Sequence, residues 1–271
     1  MKTAVITGAG GILCSMFAKH LAKLGYGVAL LDLNLDAAQK IADEINQAGG
    51  RAFAYKANVL DKDALDELHK SVLSDLGPCD LLINGAGGNN PKATTTYEYH
   101  EDKTGDDIKT FFDLDKSGFS FVFDLNIVGT LIPTQVFAKD MLGREGCNII
   151  NISSMNAYRP LTKIPAYSSA KAAVSNLTQW LAVHFAKEGI RVNAIAPGFF
   201  VTGQNKALLF NEDGTPTART GKILAATPMG RFGKPEELLG CLEWLSDSKK
   251  ASFVTGIVIP VDGGFSAYSG V

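Results

Sequence analysis

Seven short apolar runs, at 3–7, 28–32, 53–57, 81–84, 148–152, 191–196 and 254–260, alternate along the chain with segments whose apolar residues recur at helical spacing. Strands joined through helices within one sheet cross over right-handedly, so this rhythm predicts an α/β fold: a doubly wound, parallel, seven-stranded sheet with helices on both faces. Such sheets bind ligands at the carboxyl ends of their strands. A chain of 271 residues with 46% hydrophobic content can bury a large core as a single domain, and no repeat, low-complexity tract or linker divides it.

The first crossover carries a specific signal. Lys2 to Ile6 is a β-branched run that enters Thr7, Gly8, Ala9, Gly10 and Gly11, and an apolar helical pattern then continues to Leu24. Strand, glycine turn and helix start together present free backbone N–H groups and the positive end of a helix dipole to one anion, which suits a pyrophosphate. The next strand ends at Asp32, followed by Leu33 and Asn34. A carboxylate at that place accepts both hydroxyls of a ribose and repels a 2′-phosphate, and no Arg or Lys lies between Ala9 and Ser15 to neutralise one. The expected cofactor is NAD rather than NADP.

A reaction centre is spelled out further on. Tyr167 and Lys171 are four residues apart in a helical run, so phenol and ammonium share one face, and Ser154 lies at the end of the strand pattern upstream. A phenol with a pKa of about 10 is a poor base at neutral pH. An ammonium about 4 Å away is worth roughly 4 kcal/mol at an effective dielectric of about 20, so the pair works as an acid/base only in a sheltered cleft. YxxxK by itself is equally a Tyr stacked over a Lys on a surface helix; the turn and the Ser give it weight.

With these landmarks in this order the chain resembles the short-chain dehydrogenase/reductase family along essentially its whole length, which implies a single-domain Rossmann fold. Thr7, Gly8, Gly10, Gly11 and Ile12 match the cofactor turn, Asp32 and Leu33 the ribose position, and Asn58 and Val59 the adenine pocket. Asn84, Gly85, Ala86 and Gly87 match the motif after the fourth strand, while Pro197, Gly198 and Thr202 match the segment beside the nicotinamide. The resemblance implies catalytic roles for Asn126, Ser154, Tyr167 and Lys171: Tyr167 as general acid/base, Ser154 on the substrate oxygen, Lys171 lowering the Tyr pKa and holding the nicotinamide ribose, and Asn126 anchoring a proton relay. Ser153 is the rival for the Ser role. Two departures stand out: Ile12 and Cys14 occupy the places of two family glycines, and Asn58 replaces the usual Asp. The stretches INGAGGNNPKATT and PAYSSAKAAVSNLTQWLAVHFAKEGIRVNAIAPGFF are similar to the D-mannonate oxidoreductase (fructuronate reductase) branch of the family.

Two polar segments interrupt the alternation and are expected to form a flap, around 89–117, and a substrate lid, around 199–231. A sugar-acid substrate needs cations or amides for its carboxylate and partners for its hydroxyls. Asn156, Arg159 and Lys163 between the Ser and the Tyr, Asn89, Asn90 and Lys92 in the flap, and Gln204 and Asn205 in the lid are the candidates, Arg159 foremost. Oxidation of D-mannonate and the reverse reduction of D-fructuronate is the leading reading. Another sugar-acid or polyol dehydrogenase, such as a gluconate 5-dehydrogenase, a carbonyl or acyl-carrier reductase, and a non-catalytic NAD-sensing protein remain the alternatives.

Charge excludes other classes. With 26 Lys plus Arg against 28 Asp plus Glu and no basic block, the chain offers no nucleic-acid surface. No apolar stretch is expected to reach membrane-spanning length and no signal peptide precedes the first strand, so a cytoplasmic protein is expected. Cys14, Cys79, Cys147 and Cys241 lack metal or CxxC spacing and read as reduced thiols; His20, His69, His100 and His184 are scattered, so no metal is expected. The family resemblance implies a homotetramer.

Overall fold

The computed structural model describes residues 1–103, 105–201 and 209–270. Seven strands, β1 Thr3–Thr7, β2 Gly27–Asp32, β3 Arg51–Lys56, β4 Cys79–Asn84, β5 Asn148–Ile152, β6 Arg191–Pro197 and β7 Val258–Val261, form one all-parallel sheet in the order β3-β2-β1-β4-β5-β6-β7. The order reverses between β1 and β4, which opens a crevice above their carboxyl ends.

Alternation along each strand divides the core in two. Ala4 and Ile6 of β1 face helices α1 (Ile12–Lys23) and α2 (Leu35–Gln47), while Val5 faces α3 (Lys62–Leu76) on the other side. Both faces are covered, so the central strands are apolar throughout rather than alternating. Asn34 and Asp61 cap α2 and α3 by accepting from Ala37 and Ala64 N–H. Helix α1 differs: Gly11 is its N-cap, with no side-chain cap and no acidic residue in the first turn, so its leading N–H groups are left for a ligand.

The longest helical run joins α4 (Lys116–Phe123), a π turn (Asp124–Val128), α5 (Gly129–Phe137) and a 3₁₀ turn (Ala138–Met141). This corrects the expectation about apolar stretches: Lys116–Met141 spans 26 residues and holds an 18-residue stretch at a mean hydropathy of 1.4, enough in length and composition to cross a membrane, with half of that stretch buried inside the protein. It packs on β4 and on α6 (Pro165–His184) as a core helix. Helices α7 (Ala218–Ala225) and α8 (Leu239–Ser246) complete the chain.

Strand boundaries also move: β3 and β4 each begin two residues early, at Arg51 and Cys79, and β7 begins late. Residues 254–257 do not extend β7, because Thr255 Oγ1 accepts from Val192 N–H and Gly256 turns through a φ of 81°; regular pairing starts at Val258.

Candidate active site

Backbone proximity shapes the turn after β1. Gly8 has a φ of 65°, and a Cβ there would lie 2.9 Å from the Ala86 backbone. Gly10 N–H donates to Asp32 Oδ2 at 2.8 Å, and a Cβ on Gly10 would crowd that carboxylate and Ala37. Asp32 Oδ1 accepts from Asn34 N–H at 2.8 Å, so the acid braces the turn while each of its oxygens keeps a lone pair for a ribose hydroxyl. Ile12 opens α1, and Leu33 points outward at 68% exposure. Cys14 is buried, and a Cβ on Gly85 would come within 2.1 Å of its sulfur; α1 therefore rides on β4 at a spot where the thiol fills the space of an absent side chain. Burial pushes that thiol up to about 12.

Several residues expected at the cofactor also have structural duties. Thr7 Oγ1 accepts from Gly85 and Ala86 N–H and pins the ends of β1 and β4 together. Asn84 Nδ2 donates to Thr134 Oγ1 and to Asn151 Oδ1. From there the network runs through Thr130 to the Asn126 carbonyl on one side, and through Thr178 on α6 to Val174 O on the other. Asn58 is exposed, with Oδ1 accepting from Leu60 N–H, and Val59 is buried against Gly129. Pro197 ends β6, and Gly198 abuts Asp262 so tightly that a Cβ would sit 2.5 Å from its Cα.

Ser154, Tyr167, Lys171 and Asn126 converge above β4 and β5. Lys171 is 4% exposed and donates to Ile152 O at 2.8 Å; its ammonium stands 5.6 Å from the centre of the Tyr167 ring. Burial, opposed by the Cys14 thiol, brings Lys171 down from 10.5 to about 8. Burial likewise pushes Tyr167 up, with a hydrogen bond from Ser154 holding it down. The expectation that Lys171 lowers the Tyr pKa is therefore not met by the protein alone: desolvation is the larger effect, and the lysine's nearest acceptor is a carbonyl. Asn126 is wholly buried in the π turn and donates to Gly88 O and Val122 O, while its Oδ1 has no protein partner. A Cβ on Gly87 would meet that Oδ1 at 2.7 Å and Lys171 Nζ at 3.1 Å, so both polar atoms converge on the bare Gly87 backbone. Ser153 is separated from this cluster: its hydroxyl contacts Ser175 Oγ and donates to Lys171 O.

Substrate candidates divide. Asn156 is buried, donates its N–H to Ser154 Oγ, and leaves Oδ1 without a protein partner. Lys163 lies half-buried just before α6. Arg159, the foremost candidate, donates instead to Ser266 O near the C-terminus. Asn89 and Asn90 make local bonds, to Thr94 Oγ1 and from Lys92 N–H, and the backbone of Lys92 is fastened to the start of α4 through Asp115 N–H. Thr202, Gln204 and Asn205 lie outside the described residues. No group of three or more metal-ligating side chains occurs among the described residues, and the four cysteines are unpaired. Glu98, Arg219 and Lys222, which sequence reading passed over, line a cavity beside Lys163. Glu98 and Lys222 are partners 124 positions apart, a separation that gives no sequence signal.

A family model described as short chain dehydrogenase matches residues 2–213. The chain belongs to that family. Short-chain dehydrogenases are oxidoreductases of alcohol and carbonyl groups, and this one is accordingly an enzyme of that kind. It is 64% identical over 270 residues to an uncharacterized oxidoreductase of Haemophilus influenzae, covering 100% of this chain and 95% of the other. An uncharacterized oxidoreductase UxuB of Bacillus subtilis is 54% identical, covering 100% and 96%. Among solved structures, a Haemophilus protein provisionally named a D-mannonate oxidoreductase, with bound NAD, superimposes with a TM-score of 0.97 at 64% identity, covering 100% of this chain and 96% of that one.

Proposed function

We propose that the protein is an NAD-dependent dehydrogenase of sugar acids that interconverts D-mannonate and D-fructuronate, with Asn126, Ser154, Tyr167 and Lys171 as its catalytic set. The observation that carries the cofactor is the Asp32 carboxylate, which braces Gly10 near the uncapped start of α1 and makes no ion pair among the described residues. The substrate rests on 64% full-length identity to a protein bearing the mannonate name and on the cations Lys163, Arg219 and Lys222 that line a cavity at the approach to α6.

The nicotinamide supplies or takes the hydride; the chain handles the proton. In oxidation the carbinol hydroxyl gives its proton to Tyr167 Oη as its carbon gives up hydride, and in reduction the phenol returns it. Ser154 Oγ holds the same oxygen as its charge changes. The proton would leave by a water chain past Gly87, for which the unpartnered Asn126 Oδ1 offers an acceptor and the Lys171 ammonium, close to deprotonation at about 8, a donor. A phenol raised by burial is a stronger base once ionised, so oxidation should accelerate as pH rises while reduction slackens at alkaline pH. The segments after β4 and β6 act as flap and lid, within one domain. The exposed Trp180 and Val183 of α6 favour an oligomer, a homotetramer by family resemblance, which sedimentation would test.

The test is NADH formation with NAD or NADP against a panel of aldonates and polyols. Fast NAD-linked turnover of D-mannonate is expected. Preference for D-gluconate or a polyol would leave the chemistry and remove the substrate; tight NAD binding without turnover of any alcohol would make the protein a sensor.

A further inference from the structure

A cavity of about 410 Å³ opens at the approach to α6, the helix that carries Tyr167 and Lys171. Leu161 to Lys163, from the approach to α6, form one wall; Phe199, just past β6, and Phe265, near the C-terminus, form another. Helix α7 and the segment after β4 close it with Arg219, Lys222 and Glu98. Neither Ser154 nor Tyr167 is among its lining residues.

Three cations therefore face one anion, and the anion is already taken. Lys222 Nζ donates to both oxygens of Glu98, at 2.8 and 2.9 Å. That ion pair joins α7 to the segment after β4 and leaves Lys163 and Arg219, whose charged groups have no ion-pair partner among the described residues. The second, independent sign is strain. Lys163 has a φ of 72°, the only left-handed residue other than glycine among the described residues. A side chain there costs about 1–3 kcal/mol unless the surroundings compel it, and such costs persist where a site needs them. The Lys163 carbonyl accepts Thr95 N–H at 2.8 Å, so the strained residue is also the place where the segment after β4 is tied down.

We infer that Lys163 and Arg219 form the carboxylate-binding end of the substrate site, in a cavity held in shape by the Glu98–Lys222 pair. The inference rests on the sugar-acid reading and narrows it. A ligand whose charged end lies among these residues presents only its uncharged part to the phenol, so the carbon that reacts is not the one next to the carboxylate. Arg159, whose Nε donates to Ser266 O, is not among the residues that line this cavity. Each charge-assisted contact should be worth roughly 10- to 100-fold in KM for an acid.

The experiment compares the wild type with Arg219→Gln and Lys163→Gly, using D-mannonate, the uncharged D-mannitol, and a bile-acid carboxylate, each with saturating NAD. Both variants should raise KM for D-mannonate by at least tenfold with kcat within a factor of a few and KM for NAD unchanged, and should not impair the polyol. Lys163→Gly should in addition gain a Tm of roughly 2–4 °C by relieving the strained φ, which separates lost binding from lost folding. Unchanged KM for D-mannonate in both variants, with the wild type active on it, would overturn the cation pair and leave the sugar-acid reading standing. A wild type that uses only the bile acid, through a KM that the variants raise, would keep the cation pair and remove the sugar acid. A wild type active on polyols alone, indifferent to both substitutions, would remove both.

Discussion

The two sides of the crevice are held together by different physics. On the cofactor side, the ends of β1, β4 and β5 meet through backbone approaches so close that Gly8, Gly85 and Gly87 leave no room for a Cβ, and the side chains that join them are buried. On the substrate side, the described parts of the segments after β4 and β6 are mostly exposed and are joined by the Glu98–Lys222 pair. Buried close packing fixes atoms to fractions of an ångström and makes any change felt in stability and chemistry together. An exposed ion pair fixes a distance loosely and contributes little to stability. The cofactor side is built to be rigid, and the substrate side to be altered without unfolding the protein.

Replacing Tyr167 with Phe should widen that contrast most. Loss of the general acid/base is expected to lower kcat by roughly 10²- to 10⁴-fold, with NADH binding, followed by fluorescence, intact; retained turnover would remove Tyr167 from the chemistry. Lys171→Met should abolish turnover and yet stabilise the protein. The Lys171 pKa falls from 10.5 to about 8 on folding, so the folded state resists the proton at a cost of about 3 kcal/mol. That cost is fully present below pH 8 and disappears as pH rises towards 10.5; the lost bond to Ile152 O offsets part of it. The Tm advantage of the variant should therefore be greatest at neutral pH and shrink in alkaline buffer, and an advantage that grew with pH would contradict the burial assignment.

Gly85→Ala forces a methyl against the Cys14 sulfur and should cost roughly 1–3 kcal/mol by denaturant unfolding, with weaker NAD binding. Cys14→Ala in the same chain should restore much of it, since the sulfur is the nearest obstacle; no rescue would mean that the Thr7 carbonyl, at 2.9 Å, is the real limit. The smallest effect belongs to Glu98→Gln. Thermal unfolding should be unchanged while KM for the sugar acid rises a few-fold; a marked fall in Tm would erase the difference between the two sides.

What could be read from sequence follows the same division. Ser154, Tyr167 and Lys171 were legible because strand ends and helical periodicity translate spacing into position. Asp32 was legible because a glycine turn and the following strand bring it back to Gly10. The duties of Thr130 and Thr134 had a signal that went unused, since they follow Asn126 at four-residue steps along one helical face. Arg159 was legible only in part: its number places it between the Ser and the Tyr, but the acceptor of its Nε, the Ser266 carbonyl, comes from the far end of the chain. Lys163 looked like one more loop cation, because nothing in composition reveals a backbone angle. Glu98 and Lys222 meet only through tertiary structure, and β7 begins late because a glycine turn outranks local β propensity.

The run Lys116–Met141 bears on how the enzyme is made. It leaves the ribosome after α3 and β4 but ahead of α6, which covers its other side, and a chain is synthesised from its N-terminus at a pace slow enough for early segments to seek partners. Until residue 184 has followed, the side of this apolar run that α6 will cover stays open, with only α3 and β4 already made to lie against. This is the interval in which capture by other factors competes with folding. Asn126, Thr130 and Thr134 set buried polar groups into the run, which suit a protein interior better than a bilayer.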